Sequence, residues 1–381
     1  MPTNFDIITD RKDSNSYKWD SIADADILPM SIADMDFQTA PDIIDALQKR
    51  VQHGIFGYAP VPKTFYEAIK NWFFRQYHFS FETKYLLYTS GVVPAISAII
   101  KAFSQSGDKI LVQEPVYNCF FSSIRNNDCQ FVSNYLDFED FEKKAADPAV
   151  KIFLLCNPHN PVGRVWKRDE MLRLGEICKK NDVIVIADEI HCDLVFGENQ
   201  FTPFASLSPD CNAISISCWA PSKTFNLAGL QVSCIYVSNE KWKQKIDKAL
   251  NINEVCDISP FAIEALIAAY NKGDKWLKQL KNYLWENYIF LKNYFEQNIS
   301  NLKVTDLEGT YLVWINCRNL GYSSTEICSK LMEISKLQLN SGDLYGEAGE
   351  GFIRMNIACP RSTLEEGLKR LQKAIEIIQN P

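Results

Sequence analysis

No hydrophobic run in the chain approaches the length needed to cross a membrane, which excludes a helical integral membrane protein. The start, Met1-Pro2-Thr3-Asn4-Phe5-Asp6, lacks a basic stretch followed by an apolar one and so does not read as a leader. Lysine and arginine form no stripe, and 40 basic residues face 47 acidic ones for a formal net charge of −7. Nucleic acid and anionic membranes are poor partners for such a chain, and a small molecule is the better one. The 4 histidines have no ligand spacing, so no metal is expected. Twelve cysteines are present but no CxxC, and the closest pair, Cys211 and Cys218, is seven apart. Cys156, Cys218, Cys234 and Cys317 fall inside apolar runs, where a thiol acts as a small hydrophobe in a reducing compartment. With neither internal repeat nor low-complexity segment, the chain reads as a soluble cytoplasmic protein.

What is there is a core. At 381 residues and 46% hydrophobic content the chain supports one large or two medium domains. After a polar start, Met30 to Phe37 reads as a tight acidic turn, and Pro41 opens a helix closed by Gly54. The loop Gly54 to Pro62 is rich in Gly, Pro and aromatics and therefore shaped. Leu86 to Gly91 leads into a helix from Val93 to Phe103. Short β-rich runs without clean alternation follow at Ile110, Phe131, Ile152, Val183, Ile214 and Cys234, with helical segments such as Glu170 to Lys180 between some of them. That pattern predicts strands covered on both faces in a mostly parallel α/β sheet. Charged helices at Trp242–Leu250, Pro260–Tyr270 and Trp276–Gln297 precede a smaller α+β unit.

Several segments carry candidate chemistry. Lys223, in Ala220-Pro221-Ser222-Lys223-Thr224-Phe225, has small or apolar sequence neighbours and no acidic one. A dehydrated amine has a lowered pKa and suits Schiff-base chemistry, although a loop lysine at the surface is the ordinary alternative. Asp188 closes the buried run Val183 to Ala187, where ligands of open α/β sheets collect; there it either holds a proton on a ring nitrogen or merely caps the next segment. Asn160 lies in Asn157-Pro158-His159-Asn160-Pro161-Val162-Gly163, a turn fixed by prolines and a glycine. Ser90-Gly91-Val92 marks a strand-to-helix passage able to cradle a phosphate, and Tyr117 either stacks on a ring or fills core.

Taken together and in this order, these segments resemble the fold-type I pyridoxal-phosphate (PLP) enzymes of the aspartate aminotransferase superfamily. Arg354-Met355-Asn356 belongs to the same set. Ile32-Ala33-Asp34-Met35-Asp36-Phe37, Ile55-Phe56-Gly57-Tyr58, His191, Pro221 to Asn226 and Ala358-Cys359-Pro360-Arg361 resemble the MalY/PatB branch of cystathionine β-lyases, or C-S lyases. The resemblance implies an aspartate-aminotransferase-like large domain, with a mostly parallel seven-stranded sheet, plus a smaller α+β domain. It divides the chain into an arm and part of the small domain (1–45), the PLP-binding domain (46–282) and the C-terminal small domain (283–381).

The resemblance also implies roles. Lys223 carries PLP and moves the α-proton, with Tyr58 or Tyr117 assisting. Asp188 pairs with the ring nitrogen, Asn160 with the ring hydroxyl, and Tyr117 stacks, with His191 beside the cofactor. Gly91, Val92 and Ser222 bind the phosphate, helped by Tyr58 of the other subunit of a homodimer with shared sites. Arg354 clamps the substrate carboxylate, with Ala33 and Asn160 also at the substrate. Gln231 stands where aminotransferases have a phosphate-binding arginine, and His191 where they have a tyrosine; both changes point to β-elimination of L-cysteine S-conjugates. An aminotransferase, or a regulator that keeps the fold without the catalysis, are the alternatives.

Overall fold

The computed structural model describes residues 3–21, 24–253 and 257–379; Met1 and Pro2, on which the reading of the chain start partly rests, and Cys256 lie outside the described residues. In chain order, β1 (Leu28–Pro29) precedes α1 (Pro41–His53) and α2 (Lys63–Tyr77). Strands and helices then alternate: β2 (Leu86–Thr89), α3 (Val92–Phe103), β3 (Lys109–Gln113), α4 (Asn118–Arg125), β4 (Gln130–Asn134), α5 (Phe138–Ala145), β5 (Val150–Cys156), α6 (Arg168–Lys180), β6 (Ile184–Asp188), α7 (Pro209–Ile214), β7 (Ser215–Trp219) and β8 (Ser233–Tyr236). Three helices follow, α8 (Glu240–Leu250), α9 (Pro260–Lys272) and α10 (Asp274–Asn298). The last part holds β9 (Lys303–Val304), β10 (Leu312–Asn316), α11 (Ser324–Ser335), β11 (Leu337–Gln338), β12 (Asn340–Ser341), β13 (Phe352–Asn356) and α12 (Arg361–Gln379).

The large sheet has seven strands in the order β2-β8-β7-β6-β5-β3-β4, and all but β8 run parallel. Its central strands are covered on both faces, which is why their sequences do not alternate. Along β5, Ile152 and Leu154 enter one core with Ile186 and Ile216, while Phe153 and Leu155 enter the other with Val185 and Ala187. The small sheet is antiparallel, β12-β13-β10-β9. The N-terminal strand β1 pairs with β11, which brings the chain's start onto its last hundred residues.

Helix ends follow local chemistry. Pro41 opens α1 and Gly54, at φ 74°, closes it in the left-handed conformation that glycine adopts without a Cβ clash. The 25-residue α10 buries Trp276, Leu280, Leu284, Tyr288, Leu291 and Phe295 along one stripe, and Trp276 stacks on Phe225 at 5.7 Å. The sequence reading has no counterpart for α4, α5, α7 and α11; the first three, of eight, eight and six residues, hold too few turns to display a 3.6-residue period. Among the described residues no helix is long and apolar enough to cross a membrane, and every described cysteine is free.

Candidate active site

The parallel strands of the large sheet end on one side, and the segments that leave them line a cavity of about 590 Å³. Ser90, Gly91 and Val92 follow β2, Tyr117 and Cys119 follow β3, Asn160 follows β5, Asp188 ends β6 with His191 just beyond, and Ser222 and Lys223 follow β7. Arg354 reaches it from β13 and Ala33 from the segment after β1. Tyr58 is the exception among the sequence-derived site residues. It is 96% exposed on the loop before α2, and its own chain does not bring it to the cavity.

Lys223 sits in the turn between β7 and β8, and its Nζ donates to the Ala33 carbonyl at 2.6 Å. Burial, with Arg354 nearby, brings its pKa down to about 8, while Asp34 and Asp188 oppose the fall. The amine therefore has acidic neighbours in space although it has none in sequence. Burial likewise raises Asp188 to about 7, against a 3.2 Å hydrogen bond from the Ile190 N–H and the charge of Lys223. His191 is buried and held well below the ordinary histidine range by desolvation and by the cations Lys223 and Arg354, so it is a neutral imidazole. Its ring meets Tyr311 edge-on at 6.0 Å.

Arg354, 3% exposed, is fixed before any ligand arrives. Its NH1 donates to Asn160 Oδ1 at 2.9 Å, its NH2 to the Ser31 carbonyl at 2.8 Å, and its guanidinium lies over the Tyr345 ring at 4.9 Å. The acidic turn that supplies the Ser31 and Ala33 carbonyls is itself clamped. Asn356 Nδ2 donates to the carbonyls of Ile32 and Asp34, and Asn226 accepts from the Met35 N–H and donates to the carbonyls of Met35 and Phe37. Behind it, Arg11 pairs with Asp34 and Asp36, buried Lys18 reaches Asp36 at 2.7 Å, and Trp19 Nε1 donates to Asp36 at 2.9 Å.

PLP, the cofactor the resemblance implies, requires a free amine, an acceptor for its ring N–H, donors for its ring oxygen and a nest of N–H groups for its phosphate. This donor set fits. Lys223 and Asp188 face the same cavity, and Asn160, with its oxygen taken by Arg354, keeps its amide N–H groups for the ring oxygen. The first turn of α3 begins at Gly91 with no side-chain cap, which leaves its N–H groups and helix dipole for an anion. Among the described residues, buried His191 Nδ1 and Arg354 Nε find no hydrogen-bond partner, as polar atoms that meet a ligand would not. Among the described residues lining the cavity, Lys223 and Arg354 are the only cations, and Gln231 lines it too.

Sequence reasoning missed Asp34 as a charge beside Lys223, and Tyr311, Asn340 and Tyr345 altogether. Tyr311 donates to the Ala33 carbonyl at 3.0 Å, and Asn340 Nδ2 donates to Tyr345 OH at 2.9 Å. The register that sets Asn340 opposite Arg354 is a tertiary fact with no local signal in the sequence.

Residues 25–371 match the family model described as aminotransferase class I and II. The chain belongs to that family. Cystathionine beta-lyase PatB of Bacillus subtilis (strain 168) is 38% identical over 98% of this chain and 100% of its own. A PLP-bound protein of Clostridium difficile 630, provisionally named an aminotransferase, superposes with a TM-score of 0.95 at 42% identity, covering 98% of this chain and 99% of that one. The PLP-bound C-S lyase of Staphylococcus hominis superposes with a TM-score of 0.92 at 30% identity over 98% and 99% of the two chains.

Proposed function

We propose that the protein is a PLP-dependent carbon-sulfur β-lyase that cleaves L-cystathionine or related L-cysteine S-conjugates to a thiol, pyruvate and ammonia. The observation that carries this reading is the Lys223 amine, lowered to about 8 and facing the same cavity as Asp188 and Arg354. PatB, similar over the full chain, supports the substrate class.

PLP, when bound, supplies the electron sink for the pair left at the α-carbon. The chain's own residues do the rest. Arg354 holds the α-carboxylate through the N–H groups that Asn160 and Ser31 leave free, and its fixed fork orients the α-carbon. Lys223 anchors the cofactor and, once released, takes the α-proton; a pKa of about 8 leaves a useful share of free base near neutrality. Asp188 would pair with the ring nitrogen of bound PLP, and a cation there would draw its carboxyl back toward the ionised form. Ser222 and the N–H groups of Gly91 and Val92 would hold the phosphate, Tyr117 would stack on the ring, and His191 would lie beside it as a neutral donor or acceptor. Tyr58 enters from the second subunit of a homodimer, a reading supported by its exposure beside exposed Ile55 and Phe56. With every described cysteine free, the enzyme is assigned to the cytoplasm.

The same reading divides the chain at 45/46, within α1, and at 282/283, within α10, and groups the arm with the small domain, a grouping supported by the pairing of β1 with β11. Hydrogen exchange should then show residues 46–282 opening as a unit apart from the rest, and one exchange unit over the whole chain would contradict it. The name of the Clostridium difficile relative favours a second reading, transamination. Incubation with L-cystathionine and no keto acid separates the two: the lyase releases pyruvate, and an aminotransferase does not.

A further inference from the structure

Lys223 is placed by its turn, and that turn is gripped from two sides. Toward the acidic segment, Asn226 binds the backbone of Met35 and Phe37, and Thr39 Oγ1 donates to the Phe225 carbonyl at 2.7 Å. On the other side, Thr224 is fully buried and its Oγ1 donates to Asp193 Oδ2 at 2.8 Å. The other oxygen of Asp193 accepts from Trp72 Nε1 at 3.0 Å and from Tyr77 OH, both on α2. Asp193, 4% exposed, lies five residues beyond Asp188 on the segment leaving β6 and does not line the cavity of Lys223.

We propose that Asp193 is a positioning residue for Lys223: acting through Thr224, it locks the lysine turn to α2 and so fixes the point from which the amine reaches the α-carbon. Burying a carboxylate costs free energy that an apolar side chain of similar volume would not, so packing alone does not account for it. What the carboxylate adds is direction, with three donors from two elements converging on one group. Burial pushes its carboxyl above the usual range, and the bonds from Tyr77, Thr224 and Trp72 work against that rise.

The test uses the holoenzyme and compares Asp193→Asn, Thr224→Val, Thr224→Ser and the Asp193→Asn/Thr224→Val pair. The inference rests on the lyase reading for the choice of substrate. Misplacing an amine by about an ångström costs up to about 100-fold. Thr224→Val and Asp193→Asn should each lower kcat about 10- to 100-fold with KM for L-cystathionine within about threefold, because Arg354 is untouched. Thr224→Ser should stay within about threefold of the parent, and the pair should be no worse than its poorer single. The pH midpoint of the visible absorbance of the lysine-bound cofactor should move by about half a unit or more in Thr224→Val. Unchanged kcat in Thr224→Val, losses that multiply in the pair, or an unmoved midpoint would each overturn the proposal. If Asp193→Asn does not fold, the Thr224→Val and Thr224→Ser comparison decides alone. If the parent makes no pyruvate, the lyase reading fails, while the absorbance midpoint still decides on Asp193.

Discussion

Lys223 has a cation for a neighbour, and Arg354, after burial the largest cause, helps to depress the amine's pKa; in the proposed reaction the same guanidinium would hold the substrate carboxylate. A single charge in place of the fork should therefore be a poor exchange. Arg354→Lys is expected to lower kcat/KM about 10- to 100-fold, read in steady-state kinetics, because a lysine cannot grip a carboxylate at two points. Asp188 gives a pH prediction. Its folded pKa of about 7 lies above the unfolded value of 3.8, so its contribution to stability is fully present below about pH 4 and is lost as pH rises through about 7. Cofactor-free Asp188→Asn should lose less stability between pH 5 and 8 than the cofactor-free parent, measured by urea midpoints; equal losses would contradict the assignment. Lys223, Asp188 and Asn160 were legible in the sequence because each sits in a short segment with its own chemistry, while Arg354 was reached only through the family resemblance. Asp34, Tyr311 and Asn340 were not, since only tertiary packing brings them to the amine and the guanidinium.

Among the elements, those that announced themselves were the long ones and the strands buried on both faces. The run from Val183 to Ala187 reads as a continuous apolar strand because β6 has a core on each side, and α1 was bounded by its own Pro41 and Gly54. The antiparallel sense of β8 was not legible, for pairing direction depends on partners far away in the chain. The turn after β5 shows how an element can be built around one glycine. Gly163 has φ +78°, its carbonyl accepts from the N–H groups of Glu308 and Gly309, and a Cβ there would meet Leu307 Cδ1 at 2.8 Å. Gly163→Ala is expected to cost about 1–2 kcal/mol from the left-handed backbone and the clash. That should appear as a fall of a few degrees in the melting temperature by calorimetry, and an unchanged melting temperature would contradict it.

For the molecule as a whole, the loop carrying Ile55, Phe56 and Tyr58 is exposed and lies outside the cavity of Lys223. If the homodimer shares its sites, mixing inactive Tyr58→Ala and Lys223→Ala subunits by unfolding and refolding should restore about a quarter of parental activity, since half the dimers are mixed and each holds one whole site. Restoration of no activity would place Tyr58 outside the partner's site. The proposed β-elimination needs the buried Lys223 amine at the α-carbon, the strand-end carboxylate of Asp188 at the ring nitrogen and the fixed guanidinium of Arg354 at the substrate carboxylate, all at one cavity. The most direct measurement is to incubate the PLP-loaded protein with L-cystathionine alone and to quantify pyruvate, ammonia and free thiol. Equimolar release of all three without any keto acid is the predicted result. A product that appears only when a keto acid is added, with no free thiol, would contradict the account.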